Sequence, residues 1–139
     1  MMGLDEAARL ACELPDVGEG ERHGHRTWGV AGQVFAWERP FSKADVRRFG
    51  DASPPDGPIL AVRLADLHER EAVLATGIKG VFTIPHFDGY PAVLAQLTVV
   101  PKRALRELLL DGWLTFAPPD LAAELLRRRA RRRARQQAG

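Results

Sequence analysis

A short link between two apolar runs carries the side chains best suited to chemistry. Within the link Ile84–Pro91, His86 and Asp88 could act as an acid/base pair, and Tyr90 adds a hydroxyl and an aromatic face. Gly89 permits positive φ and the two prolines stiffen the chain, so these groups should be held in defined directions. A second interpretation stays open, in which the polar side chains satisfy backbone groups of a turn and the aromatic rings cover a sheet edge.

Two histidines at a strand start form a second candidate group. On a strand, His23 and His25 would point to the same side and could share a metal ion, but no third ligand lies nearby in the sequence. Cys12 is the single cysteine, which excludes an internal disulfide and a cysteine-based metal cluster. The chain also lacks a nucleophile elbow, a phosphate-binding loop and a dinucleotide-binding fingerprint. We therefore expect no metal, no cofactor and no enzymatic activity.

The C-terminal region carries the strongest electrostatic signal. Seven arginines lie close together without an acidic residue among them: Arg127, Arg128, Arg129, Arg131, Arg132, Arg133 and Arg135. The rest of the chain has 13 basic and 18 acidic residues, a net charge of −5, so the positive charge is expected on this tail and not on the globular body. Two interpretations stay open: a solvated, partly disordered tail, or a helix that contacts DNA, RNA or another polyanion. Arg22, Arg26 and Arg39 could assist from a nearby hairpin.

Hydrophobic periodicity and turn signals predict the elements that position these groups. Helices are predicted over residues 4–14, 43–49 and 67–76, from Pro101 onward, and after Pro118. Strands are predicted over 23–30, 33–39, 59–64, 81–84 and 91–100, with an acidic turn over 16–20. This order favours an α+β domain, with one mostly antiparallel sheet and helices packed on one face.

Large aromatic residues on the predicted hairpin indicate where the core lies. Trp28 and Val30 should share one face of the first strand, and Phe35 and Trp37 one face of the second, because side chains alternate along a strand. We expect all four to belong to the sheet core.

Length and hydropathy bound the remaining possibilities. With 139 residues the chain is one domain, predicted over 1–121, followed by an arginine-rich helical or disordered region over 122–139. No apolar run approaches the length of a membrane span, and the N-terminus lacks the pattern of a signal peptide. A cytoplasmic, monomeric protein is therefore expected.

Several short motifs, in this order and spacing, resemble the MmcQ/YjbR-like family over residues 4–121. They are Glu13–Val17, His23–Trp28, Gly32–Ala36, Pro85–Leu94, and Asp111–Trp113 followed by Ala117–Pro118. The resemblance implies a fold like the bacterial frataxin homologue CyaY and DNA binding through a double-wing arrangement. It also marks His86, Asp88, Gly89 and Tyr90 as positions of interest.

Two departures bear on these expectations. Gln33 stands where lysine is common in the family, and the arginine tail is an extension beyond the family pattern. We therefore expect a non-enzymatic, largely non-sequence-specific nucleic-acid-binding protein that acts through its tail. Two alternatives remain: a small-ligand binder or enzyme with a pocket around His86, Asp88 and Tyr90, which His25 could join, and an adaptor that binds a protein partner.

Overall fold

A computed structural model of the protein describes residues 2–138. Its helices are α1 (Leu4–Cys12), α2 (Lys43–Arg48), α3 (Leu67–Ala75), α4 (Lys102–Phe116) and α5 (Pro119–Ala138). Its strands are β1 (Gly18–Arg22), β2 (His25–Val30), β3 (Gln33–Glu38), β4 (Ile59–Arg63), β5 (Val81–Phe82) and β6 (Ala92–Gln96). The strands form one sheet in the order β1-β2-β3-β4-β6-β5, and every neighbouring pair is antiparallel. The predicted α+β class is confirmed.

The main core lies between one face of the sheet and helices α1 and α4. Trp28 and Val30 point into this core together, as predicted, and Leu105, Leu108 and Leu109 supply the apolar stripe of α4. The carbonyl of Pro15 accepts a hydrogen bond of 2.9 Å from the Trp113 indole nitrogen, which satisfies the polar atom of a fully buried ring. Among residues 2–138, none of the helices has the combination of length and apolar character needed to cross a bilayer.

The opposite face of the sheet is covered over only part of its width. A smaller apolar cluster, built on Ile59, Ala61 and Leu94, is closed by α2 and by the link. Helix α2 begins where the sequence predicts it, because Ser42 and Asp45 form a reciprocal capping box. The β2–β3 end of this face remains open, and the candidate cleft lies there.

Two of the predicted local structures are wrong. Of the stretch predicted as a turn over 16–20, Asp16 lies in a turn, but residues 18–20 belong to strand β1, which pairs with β2 along its whole length. Every residue of β1 is exposed, so no alternation of buried and exposed positions could reveal it. The strand predicted over 91–100 ends at Gln96, and residues 97–99 form a turn in which Val99 is 45% exposed.

A β-bulge changes the orientation of the second hairpin strand. The register between β2 and β3 shifts at Trp28 and Gly29. An extra residue at such a shift reverses the alternation of faces beyond it. Phe35 therefore joins the main core, while Trp37 packs with the cluster on the opposite face, and the prediction that they share a face is wrong.

Candidate functional site

The link is anchored from both its apolar and its polar side. Ile84 and Phe87 are buried in the smaller cluster, and residues Pro85–Phe87 form one 3-10 turn. Arg70 of α3 is only 9% exposed and donates hydrogen bonds to the carbonyls of Phe87 (2.7 Å) and Tyr90 (3.0 Å). A buried guanidinium that bridges two carbonyls of one turn fixes the path of that turn. The expected stiffness of the link thus has a structural origin that the sequence did not show.

The polar residues of the link do not converge. The side chains of His86, Asp88 and Tyr90 are all exposed, and no hydrogen bond or ion pair joins His86 to Asp88 among the described residues. Gly89 has a φ of 75°, as a turn of this kind requires. Of these residues only Tyr90 lines the neighbouring cleft, so the structure does not assemble an acid/base pair there.

A cleft of about 330 Å³ lies on the open end of the sheet, between the β1–β2 turn, the two hairpin strands and the link. Tyr90 forms one wall, and its ring meets the half-buried ring of Trp37 edge-on, with centroids 6.4 Å apart. His25, a candidate from the sequence, lines the same cleft. The complete lining is Arg22, His23, His25, Thr27, Val34, Trp37, Glu38, Arg39, Pro40 and Tyr90.

The charges around this cleft are unequally compensated. Arg39 forms an ion pair of 3.0 Å with Asp45, whereas the exposed Arg22 has no carboxylate within 4.0 Å among residues 2–138. The carboxylate of Glu38 lies 3.8 Å from the imidazole of His25 and accepts a hydrogen bond from the backbone amide of Arg26. The free positive charge of the cleft is therefore concentrated at the β1–β2 turn.

Asp45 holds Arg39 in place from the buried side. Burial opposes ionisation of Asp45, but hydrogen bonds from Ser42 and Arg39 outweigh it, so the pKa of this carboxyl lies below its ordinary value. The carboxylate is 2% exposed and also approaches Arg48 at 3.5 Å. The charge of the candidate Arg39 is therefore already paired with a buried carboxylate, which makes Arg39 less available to a ligand than Arg22.

Arg26 lies on the other face of the sheet. Its guanidinium binds Glu19 at 3.1 Å and Asp5 at 2.8 Å and lies over the ring of Trp28. The hydrogen bond to Glu19, assisted by that to Asp5, raises the pKa of Arg26 above its ordinary value. Arg26 therefore connects β2 to α1 and β1, and it does not line the cleft with Arg22.

The histidine pair is separated by a turn. His23 and Gly24 have φ values of 54° and 78° and form the β1–β2 turn, and β2 begins at His25. The two imidazoles are therefore not neighbours on one strand face, as a shared metal site would require. Among the described residues, no three side chains of the metal-binding types come together.

The arginine tail continues α5 without interruption. Leu121 and Leu125 pack against the main core, and the helix then runs through the arginine-rich segment to Ala138. Arg129 forms an ion pair of 3.0 Å with Glu107 on α4. This ion pair connects the arginine-rich segment to α4.

Some of the tail's charge is neutralised within α5. Glu124 binds Arg127 at 2.8 Å and Arg128 at 3.2 Å and approaches Arg131 at 3.6 Å. The hydrogen bond from Arg127 is the main reason that the pKa of Glu124 lies below its ordinary value. The other three have no carboxylate within 4.0 Å among residues 2–138: Arg132, Arg133 and Arg135.

The arginine-rich helix also borders a groove of about 560 Å³ between α1, α4 and α5. Its floor is apolar, with Leu10, Leu14 and Leu110, and its rim includes Arg106, which pairs with Glu13 at 3.2 Å. Three tail arginines complete that rim: Arg128, Arg129 and Arg132. Basic side chains from two helices therefore meet at this end of the molecule.

One acidic residue near α5 has an unusual protonation equilibrium. Burial, together with the charges of Glu69 and Glu107, raises the pKa of Asp111 from 3.8 to about 6, and Arg129 only partly opposes this. The folded protein therefore retains a proton that the unfolded chain releases between about pH 4 and 6. Through this group, the free energy of unfolding falls as the pH rises across that window.

Comparison with known proteins identifies relatives without an assigned activity. "Uncharacterized protein Rv2570" of Mycobacterium tuberculosis is 40% identical over 129 residues, which cover 91% of this chain and 97% of the relative. "Uncharacterized protein Mb2600" of Mycobacterium bovis matches to the same extent. No family model matches the chain, and no solved structure matches it either.

Proposed function

We propose that this chain, which belongs to the same family as these mycobacterial proteins, binds nucleic acid without sequence preference. The names of the relatives assign no ligand or reaction, so we infer the function from the surface of the chain itself. The contact is made by the basic end of α5, residues 127–135. One observation carries this proposal. An ordered helix continues past its last core anchor, Leu125, with seven arginines and no acidic residue.

The chemistry of the basic end suits phosphate. A guanidinium presents paired N–H donors that match phosphate oxygens, and arginine and alanine both favour the helical state. Residues 127–138 otherwise carry a block of like charge with no core contact, which lowers stability unless counterions or a polyanion neutralise it. A phosphate backbone supplies that neutralisation along the length of the helix.

The pattern of pairing limits the number of contacts. Glu124 and Glu107 compete for the first arginines of the segment, while Arg132, Arg133 and Arg135 are unopposed by described carboxylates. Contacts to phosphate alone position a protein but carry no sequence information. The short motifs that resemble those of MmcQ/YjbR-like proteins favour the same class of partner, but no family model matches the chain and the tail extends beyond those motifs.

A salt titration with charge-matched variants tests the proposal. The test variant replaces Arg131, Arg132, Arg133 and Arg135 with glutamine, which retains helix propensity. The control variant replaces four exposed cations without ion pairs among the described residues: Arg9, Lys43, Arg47 and Lys79. Binding of a labelled random-sequence duplex is followed by fluorescence anisotropy at rising salt concentration.

If three of the four arginines contact phosphates, the slope of log affinity against log salt concentration should be less negative by about 3 in the test variant than in the wild type. Its affinity should fall about 500-fold at about 0.1 M salt. The control variant has the same net charge and should keep most of the wild-type affinity. Equal losses in both variants would overturn the role of α5, and absence of binding by the wild type would overturn the class of function.

A further inference from the structure

The cleft on the open sheet face has the composition of a ligand site. Its volume of about 330 Å³ falls at the lower end of the range for small-molecule pockets. It joins a half-buried Trp37, a Tyr90 that is 41% exposed and the uncompensated cation Arg22. None of these side chains is needed to close the main core.

The arrangement has an aromatic end and a cationic end. Trp37 lies opposite Thr27 on β2 and meets Tyr90, while Arg22 and His23 lie at the β1–β2 turn beyond His25. The carboxylate of Glu38 lies beside His25 and would repel a phosphate there. The phosphate of a ligand would therefore bind at Arg22 and His23. An aromatic surface beside a cationic turn complements a flat ring that carries a negative charge at one edge.

We propose that this cleft binds one nucleotide unit, an aromatic base with its phosphate, either free or as part of a strand. The base stacks against Trp37 and Tyr90, and the phosphate binds Arg22 and His23. Arg63 lies over the ring of Tyr90, with 5.5 Å from its guanidinium carbon to the ring centroid, and holds that wall of the cleft. The site does not depend on the function proposed for α5, because α5 packs against the core on the opposite face of the sheet.

The tryptophans offer a direct signal for this site. Trp28 is 1% exposed and Trp113 is fully buried, so Trp37 is the tryptophan that a ligand can reach. Adenosine monophosphate and a tri-adenylate should each quench the intrinsic fluorescence in a saturable manner, and inorganic phosphate alone should not. Tighter binding of the tri-adenylate would assign the site to a strand, and equal affinity would assign it to a free nucleotide.

Variants of the full-length chain then locate the binding. Tyr90→Ala and the exposed Arg22→Ala should each weaken binding of adenosine monophosphate about tenfold. Arg47→Ala, which removes a cation of α2 outside the cleft, should leave the affinity for adenosine monophosphate unchanged. Absence of saturable quenching up to about 10 mM of both nucleotide probes would overturn the proposal. Unchanged affinity in Arg22→Ala and Tyr90→Ala would overturn it as well.

Discussion

Substitution of Arg70 tests whether one buried cation holds the link. Arg70→Met keeps most of the side chain's apolar contact but removes the hydrogen bonds to the carbonyls of Phe87 and Tyr90. Hydrogen bonds to charged groups contribute about 1.5–3 kcal/mol each. The carbonyl of Phe87 keeps a bond of 2.9 Å from the Tyr90 amide, so we take the lower end of that range. The expected loss is about 3 kcal/mol, or roughly 10 °C in Tm.

The neighbouring ion pair provides a matched control. Glu71 binds the same guanidinium at 2.8 Å, but its side chain is 63% exposed, and exposed ion pairs contribute about 0–1 kcal/mol. Urea unfolding of Arg70→Met, Glu71→Gln and the double variant separates the two effects. Arg70→Met should also accelerate hydrogen exchange at the Tyr90 amide. An unfolding free energy within about 1 kcal/mol of wild type, or an equal loss in Glu71→Gln, would refute this account of the link.

Two further substitutions test the packing around α4. Asp111→Asn removes the ionisation described above. In urea unfolding, the free energy of unfolding of the variant should match that of wild type near about pH 4 and exceed it by about 2 kcal/mol at about pH 7. A pH-independent difference would contradict the raised pKa of Asp111. Gly112→Ala places a Cβ 3.0 Å from the carbonyl oxygen of Arg63, and should cost about 1–2 kcal/mol in spite of its higher helix propensity. Gly18→Ala, which meets nothing within 4 Å, is the control, and equal unfolding free energies for the two alanine variants would contradict the close approach of α4 to β4.

Local signals in the sequence predicted much of the fold. Helices α2 and α3 begin at side chains that cap them, Ser42 and Asp66, and both caps could be recognised because they depend on residues three positions apart. The β2–β3 turn was also predicted, between strands 23–30 and 33–39, and Ala31 and Gly32 adopt positive φ there. Features that depend only on residues close together in the sequence could therefore be predicted without the structure.

The cleft could not be predicted in the same way because it depends on contacts between distant segments. Trp37 was predicted to share a face with Phe35 because side chains alternate along a strand, but a bulge, which has no reliable sequence signature, places the two on opposite faces. Tyr90 and His25 were recognised as candidates, but Trp37 was not, and nothing in the sequence distinguished Arg70 from the other charged residues of α3. His86 and Asp88 carried the clearest chemical signal in the sequence, yet they lie outside the cleft.

The incomplete cover of the sheet connects the fold to its proposed ligand site. Helix α2 and the link cover the smaller apolar cluster and leave Trp37 half-buried at its margin. Because Arg70 fixes the backbone of Tyr90, this wall of the cleft stands in place before a ligand arrives, and binding does not have to order it. The same contact therefore stabilises the link and preorganises the cleft. For this reason Arg70→Met should weaken nucleotide binding as well as stability, although Arg70 itself does not line the cleft.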